Sequence, residues 1–171
     1  MNRFDQHDWG NKSIMKGILF AVLGMFIGMI PQLIITGLAE WRMPLLSGAA
    51  IGFAISQGYL RGHGIQGNIR KVTMVILSII GTILGTWFSY TLSSWFNMIL
   101  LGFVPNFFET LIITGEVMVN NIVGVFSGTN FHEGIGRSAS FDIIIGSIVA
   151  IGVSNQNLTG NWFNQNRRWG K

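Results

Sequence analysis

Residues Gly17 to Leu38 read GILFAVLGMFIGMIPQLIITGL, a run of 22 residues without a charged side chain. At 1.5 Å of rise per residue, a helix of that length reaches about 33 Å, enough to cross a hydrocarbon core about 30 Å thick. Three further apolar runs follow: Pro44 to Leu60, Val72 to Leu92, and Ser140 to Ser154. If all four cross, Arg3, Lys12, Lys16, Arg61, Arg70, Lys71, Arg167, Arg168 and Lys171 fall on one side. Only Arg42 and Arg137 remain for the other, which accounts for all 11 cations. Short loops rich in Lys and Arg stay in the cytoplasm. The expected fold is an all-α integral membrane protein with four transmembrane helices and both termini cytoplasmic.

Composition agrees with a bilayer as solvent. Hydrophobic residues make up 49% of the 171, and charged residues only 11%. A soluble domain carries about 25% charged residues. The net charge is +4, but the cations are split among the N-terminus, one loop and the C-terminus. With no continuous basic face, nucleic acid is not the implied partner. The lipid bilayer is, and the cations favour its anionic headgroups. The chain has no cysteine, which excludes disulfides, thiolate catalysis and cysteine metal sites. The first run is longer than the roughly 7–15 residues of a signal-peptide core, so it reads as a retained span.

The organisation expected is a cytoplasmic N-terminal segment over 1–16, a single four-span membrane domain over 17–155, and a cytoplasmic interfacial tail over 156–171 that carries Trp162, Phe163 and Trp169. Pro31 lies inside the first span and should kink it, which neighbouring helices tolerate in a membrane. Trp41 stands where interfacial aromatics belong, and Pro44 suits the first turn of the second helix. The fourth run is short for a span, which it offsets by thinning the bilayer or leaning on its neighbours.

Residues 93–139 divide into Ser94 to Phe108, broken by Asn97 and Pro105, and Thr110 to Phe126, which contains Glu116, Asn120 and Asn121. If one of these crossed alone, Arg167, Arg168 and Lys171 would be carried outside. Two interfacial helices on the outer surface are expected. The alternative is a re-entrant hairpin turning at Pro105 and Asn106, a device that sometimes builds transport sites.

Small residues recur four apart in every span: Gly24 with Gly28, Gly48 with Gly52, Gly81 with Gly85, and Gly146 with Ala150. Such pairs let helices approach closely in lipid, and they are expected to be packing seams. Gln32 and Gln57 need partners in lipid and are expected to bond between helices. The glycine-rich stretch Gly58 to Gly67 lacks the Gly-Lys-Ser/Thr end of a phosphate loop, so a tight hairpin is expected there.

The candidate polar site is Glu109, Glu116, Asn120 and Asn121. The first three share one helical face, which fits either a wet interfacial face or an ion or substrate site. His132, Glu133 and Asp142, and separately Asp5, His7 and Asp8, lack the spacing of a known ligand set such as H-E-x-x-H. No catalytic residue, metal or cofactor is assigned.

Two segments, GAAIGFAISQGYLRGHGIQGNIRKVTMVILSIIGTILG (48–85) and SFDIIIGSIVAIG (140–152), resemble an uncharacterised bacterial family of small four-span membrane proteins. In that family a glycine-rich span ends in Gly-Tyr, a short turn follows, and an Asp-led span closes the chain. The resemblance implies a bacterial plasma membrane and four spans; it implies no functional residue. The function expected is a non-enzymatic accessory or interaction protein, acting within a homo-oligomer or a larger membrane complex. The alternative is an oligomeric transporter or channel subunit with a polar site around Glu116 and Asn120.

Overall fold

The computed structural model describes residues 13–65, 67–127 and 135–156, with the side chains of all but 121, 122, 124–127, 135–138 and 156. The described residues are helical and contain no strand. In order they form α1 (Ile14–Gln32), a π-helical turn (Leu33–Leu38), α2 (Pro44–Arg61), α3 (Asn68–Leu100), α4 (Phe107–Ser127) and α5 (Ile135–Gln156). Local chemistry sets the boundaries. Ser13 caps α1 by accepting from the Lys16 amide, which satisfies an otherwise orphaned donor. Pro44 opens α2, where its missing N–H is harmless. Gly67 (φ 111°) and Gly102 (φ 85°) turn the chain before and after α3, in a region that glycine enters without strain.

Two segments, Ile14–Leu38 and Asn68–Leu100, are long and apolar enough to cross a membrane, and Ala139–Asn155 is a shorter apolar helix. Helix α2 has 18 residues, a length of about 27 Å.

Helix α2 is the centre of the packing. It runs antiparallel to α1, with Gly17 against Gly64, Gly24 against Ala54, and Gly28 against Ile51. A Cβ on Gly28 would stand 2.7 Å from the Ile51 Cα, well inside the 3.5–4.0 Å of ordinary carbon contact. On its other side α2 runs parallel to α5. There Gly48 faces Gly146 and Gly52 faces Ala150; a Cβ on Gly52 would stand 2.7 Å from the Ala150 Cα. Helix α3 lies parallel to α1 and antiparallel to α5. Gly81 receives Met25, Gly85 receives Gln32, and Ser78 Oγ meets Ser154 Oγ at 3.3 Å. The four small-residue pairs therefore all lie at interhelical contacts within the chain.

The interior holds a narrow apolar core of Met25, Met29, Ile51, Ile55, Tyr59 and Met74, but much of the rest of its polarity runs opposite to that of a soluble domain. Ser56, Ser78, Thr82, Thr86, Ser89 and Ser154 are buried, whereas Ile27 is 62%, Leu45 64% and Ile148 65% exposed. Gln32 bonds between helices as expected, its Nε2 donating to Thr86 Oγ1 at 3.0 Å. Gln57 is half-buried and takes no part in that contact. Lys16, Arg61, Arg70 and Lys71 converge at one end of the bundle, where the Ser13 amide donates to the His63 carbonyl. The glycine-rich stretch there is a tight hairpin. It closes over Tyr59, whose hydroxyl donates to the Ile65 carbonyl at 2.9 Å and whose ring carries the Arg70 guanidinium 6.0 Å from its centroid.

Two expectations change. The third helix does not stop near Leu92: α3 continues unbroken to Leu100 and absorbs the first half of Ser94 to Phe108, which is therefore not an interfacial element of its own. Asn97 is tolerated because its amide is bonded, donating to Glu40 Oε1 at 2.6 Å. The chain then turns through 101–106 and α4 returns antiparallel to α3. Trp95 Nε1 donates to the Pro105 carbonyl, Thr91 Oγ1 meets Thr114 Oγ1 at 2.7 Å, and Trp87 Nε1 donates to the Leu111 carbonyl. Pro31, expected to kink α1, lies inside it, and a π-helical turn begins two residues later.

The α2–α5 seam is the most sensitive place in the bundle. Gly52→Leu should fall at or beyond the upper end of the roughly 1–3 kcal/mol that overpacking costs. Gly152→Ala on α5, the other helix of the seam, where an added Cβ meets nothing within 4 Å, should leave stability unchanged or slightly raised. Thermal unfolding of both variants in detergent micelles checks the pair.

Candidate functional site

At the end of the bundle opposite Lys16 and Arg61, a cleft of about 280 Å³ opens between the turn after α1 and the last turns of α3. It is lined by Thr36, Glu40, Arg42, Tyr90, Ser93, Ser94 and Asn97.

Proline starts the geometry. Without an amide hydrogen, Pro31 cannot donate to the carbonyl four residues back, and the helix widens just after it. The Ala39 amide then donates to the Ile34 carbonyl at 3.1 Å and the Trp41 amide to the Ile35 carbonyl at 3.0 Å. Wide turns of this kind recur at functional sites. Thr36 Oγ1 donates to the Trp41 carbonyl at 3.3 Å, tying the exit to the helix. Glu40 follows with φ 55°, a left-handed conformation that costs a non-glycine residue about 1–2 kcal/mol. The strain aims Glu40 at α3.

The opposite wall comes from one face of α3. Tyr90, Ser93, Ser94 and Asn97 follow helical spacing, three and four apart. Asn97 Nδ2 donates to Glu40 Oε1 at 2.6 Å, and Ser93 Oγ donates to the same oxygen at 3.4 Å. The Arg42 guanidinium lies 5.9 Å from the Tyr90 ring centroid, within cation–π range. Behind Tyr90 sits Asp142 of α5, only 7% exposed, whose Oδ2 accepts from the Tyr90 hydroxyl at 3.2 Å. A buried carboxylate needs such donors, because burial without them costs heavily. The cleft is thus lined by one carboxylate, Glu40, and one guanidinium, Arg42, with hydroxyl and amide groups around them, and the Arg42 charge also acts on the buried Asp142 carboxylate.

The polar residues singled out in the sequence are placed elsewhere. Glu109, Glu116 and Asn120 lie exposed along α4, and none lines the cleft; the side chain of Asn121 lies outside the described residues. So do His132, Glu133, Asp5, His7 and Asp8. Of the earlier candidates, only Asp142 belongs to the cleft's surroundings. Glu40 and Arg42 read in sequence as a short turn. Their one distinguishing signal was the pairing of opposite charges two residues apart between apolar runs. Ser93, Ser94 and Asn97 carried no signal, because α3 was expected to end before them.

Comparison of the chain with protein-family models, with curated proteins and with solved structures returns no match in any of the three. The cleft is therefore interpreted from its own chemistry.

Of the chain's 2 tyrosines, Tyr90 should matter more. Tyr90→Phe strips a donor from a buried carboxylate and should cost about 1–3 kcal/mol. Tyr59→Phe removes one bond to a loop carbonyl and should cost about 0.5–1.5 kcal/mol. Unfolding midpoints of the two variants in detergent test the ranking.

Proposed function

We propose that this chain is a four-span protein of a bacterial plasma membrane, with both termini cytoplasmic, acting as a non-enzymatic accessory or interaction protein. In this proposal α1 with its π-helical turn, α2, α3 and α5 cross, and α4 folds back from the outer end of α3. The observation that carries it is the packing: hydroxyls and glycines lie inside beside a narrow apolar core of Met25, Met29, Ile51, Ile55, Tyr59 and Met74, while most of the other large aliphatic side chains lie outside. In water that arrangement would expose an apolar surface far larger than a monomer tolerates. In lipid it is the expected one, because helices there associate through small residues and hydrogen bonds.

The topology is supported by the ends of the bundle. Lys16, Arg61, Arg70 and Lys71 gather at one, as cytoplasmic cations should. The bacterial setting comes from the family resemblance alone. An accessory role is favoured over transport by the seams. Backbone meets backbone along α1–α2 and α2–α5, so the centre of the bundle is filled. The described helices also carry no charged residue between Gly17 and Ala39, Pro44 and Leu60, or Val72 and Leu100, and the buried Asp142 of α5 lies near the outer end of the bundle, bonded to Tyr90. Ionisable residues at such depth are what mark pumps and proton-coupled carriers.

The chain's lack of cysteine makes every introduced thiol unique. In intact cells, a membrane-impermeant maleimide should label Trp41→Cys readily and Lys71→Cys only after lysis. Equal labelling of both in intact cells would remove the topology. Purified protein in liposomes should pass no measurable ion or solute flux. A flux abolished by Glu116→Gln would replace the accessory role with the transporter one.

A further inference from the structure

We propose that the cationic end of the bundle is a docking surface for anionic phospholipid, with Lys16, Arg61 and Lys71 as its headgroup contacts. The inference rests on the membrane reading above. It adds what that reading does not require: a preference for one charge class of lipid, carried by three side chains from three helices.

Packing brings the three together. At the α1–α2 seam a Cβ on Gly62 would stand 2.5 Å from the Lys16 carbonyl oxygen, so the backbones that carry Lys16 and Arg61 are in contact. The Ser13 amide ties the same two helices by donating to the His63 carbonyl at 3.3 Å. Lys71 joins through the hairpin. The Tyr59 hydroxyl donates to the Ile65 carbonyl at 2.9 Å, which holds the start of α3 beside the end of α2. Arg70 lies inward against the Tyr59 ring and is only 2% exposed. Lys16, Arg61 and Lys71 remain exposed.

Charge selects an anion. Among the described residues no acid lies at this end. Glu40 and Asp142 stand at the opposite one, beside Asn97 and Tyr90. Glu109 and Glu116 belong to α4, which packs against the later half of α3. In the sequence before Ser13, Arg3 and Lys12 offset Asp5 and Asp8, so that segment supplies no surplus of acid. Clustered cations at the cytoplasmic face of a bundle attract anionic headgroups.

The apolar neighbours select a lipid over a dissolved anion. Each exposed cation adjoins an exposed apolar side chain: Met15 before Lys16, Leu60 before Arg61, and Val72 after Lys71. Lysine and arginine lay their stems along apolar surface and carry the charge beyond it. A nucleic acid or an acidic protein would leave Met15 and Val72 in water. A phospholipid covers them with its acyl chains while its phosphate meets the cations.

The test uses the full chain in a non-ionic detergent, with bound lipid counted by native mass spectrometry. Phosphatidylglycerol should be retained about ten-fold or more over phosphatidylcholine and phosphatidylethanolamine, and the preference should shrink as salt is raised. Lys16→Gln, Arg61→Gln and Lys71→Gln should each lower it about five-fold, and the three together should abolish it. Lys16→Arg and Lys71→Arg should keep it, which a merely structural role for these side chains would not require. Circular dichroism and elution volume should match the wild type; if the triple variant does not fold, the single variants decide. Equal retention of the three lipids overturns the proposal. So does a preference that the glutamine variants keep, or inorganic phosphate that displaces phosphatidylglycerol at equal concentration, which would assign a dissolved anion instead. Cysteine labelling can place Lys71 inside while no lipid preference appears, so the two proposals fail separately.

Discussion

The structure depends on how closely α2 approaches its two neighbours. Gly48 and Gly52 admit α5, while Gly24 and Gly28 of α1 admit α2, so three backbones lie almost in contact. In the bilayer proposed for this chain, hydrophobic force would not hold helices together, because lipid tails are as apolar as leucine; close van der Waals packing and hydrogen bonds would have to do it. Once backbones are that near, little room remains for large side chains between them. Beside a narrow apolar core built on Met25, Met29, Ile51, Ile55, Tyr59 and Met74, the interior fills with serine, threonine and glycine, and most of the other large aliphatic and aromatic side chains turn outward. Several of the hydroxyls bond one another or nearby carbonyls: Ser154 donates to the Gly52 carbonyl while meeting Ser78, and Thr82 donates to the Ser78 carbonyl.

That tight centre has a consequence at its far end. Held by the α1–α2 and α2–α5 seams, the C-terminal turns of α3 project beyond Leu92 with a polar face. The turn after α1, widened behind Pro31, comes up against that face. Neither element makes a site alone. Glu40 has its geometry because Asn97 and Ser93 hold it, and Asn97 is tolerated on an apolar helix because Glu40 accepts from it. Polar groups at the end of a helix bundle are stable in such mutual arrangements and costly outside them.

The features legible in the sequence were those with a period or a bias. Hydrophobic length marked α1 and α3. Small residues four apart marked the seams, and the Gly-Tyr turn marked the hairpin over Tyr59. The helical face shared by Glu109, Glu116 and Asn120 was also legible, and all three lie exposed on α4. The cleft escaped because its walls come from residues 36–42 and 90–97, with Asp142 behind. These are separated by about fifty residues at each step, and none is unusual in its own neighbourhood. The end of α3 was misjudged for a related reason. Ser93, Ser94 and Asn97 are poor helix formers, and only their tertiary partners let the helix continue.

The sequence by itself determined the all-helical class, the apolar segments, the clustering of cations at one end and the positions where helices can touch. Each of these is a local property: hydropathy along a run, charge between runs, or the absence of a Cβ. Tertiary structure alone decided which seam meets which helix, how far α3 extends, that α4 returns along it, and that Glu40 and Arg42 share a cleft. These depend on free energies of contact between distant segments, which no local window contains.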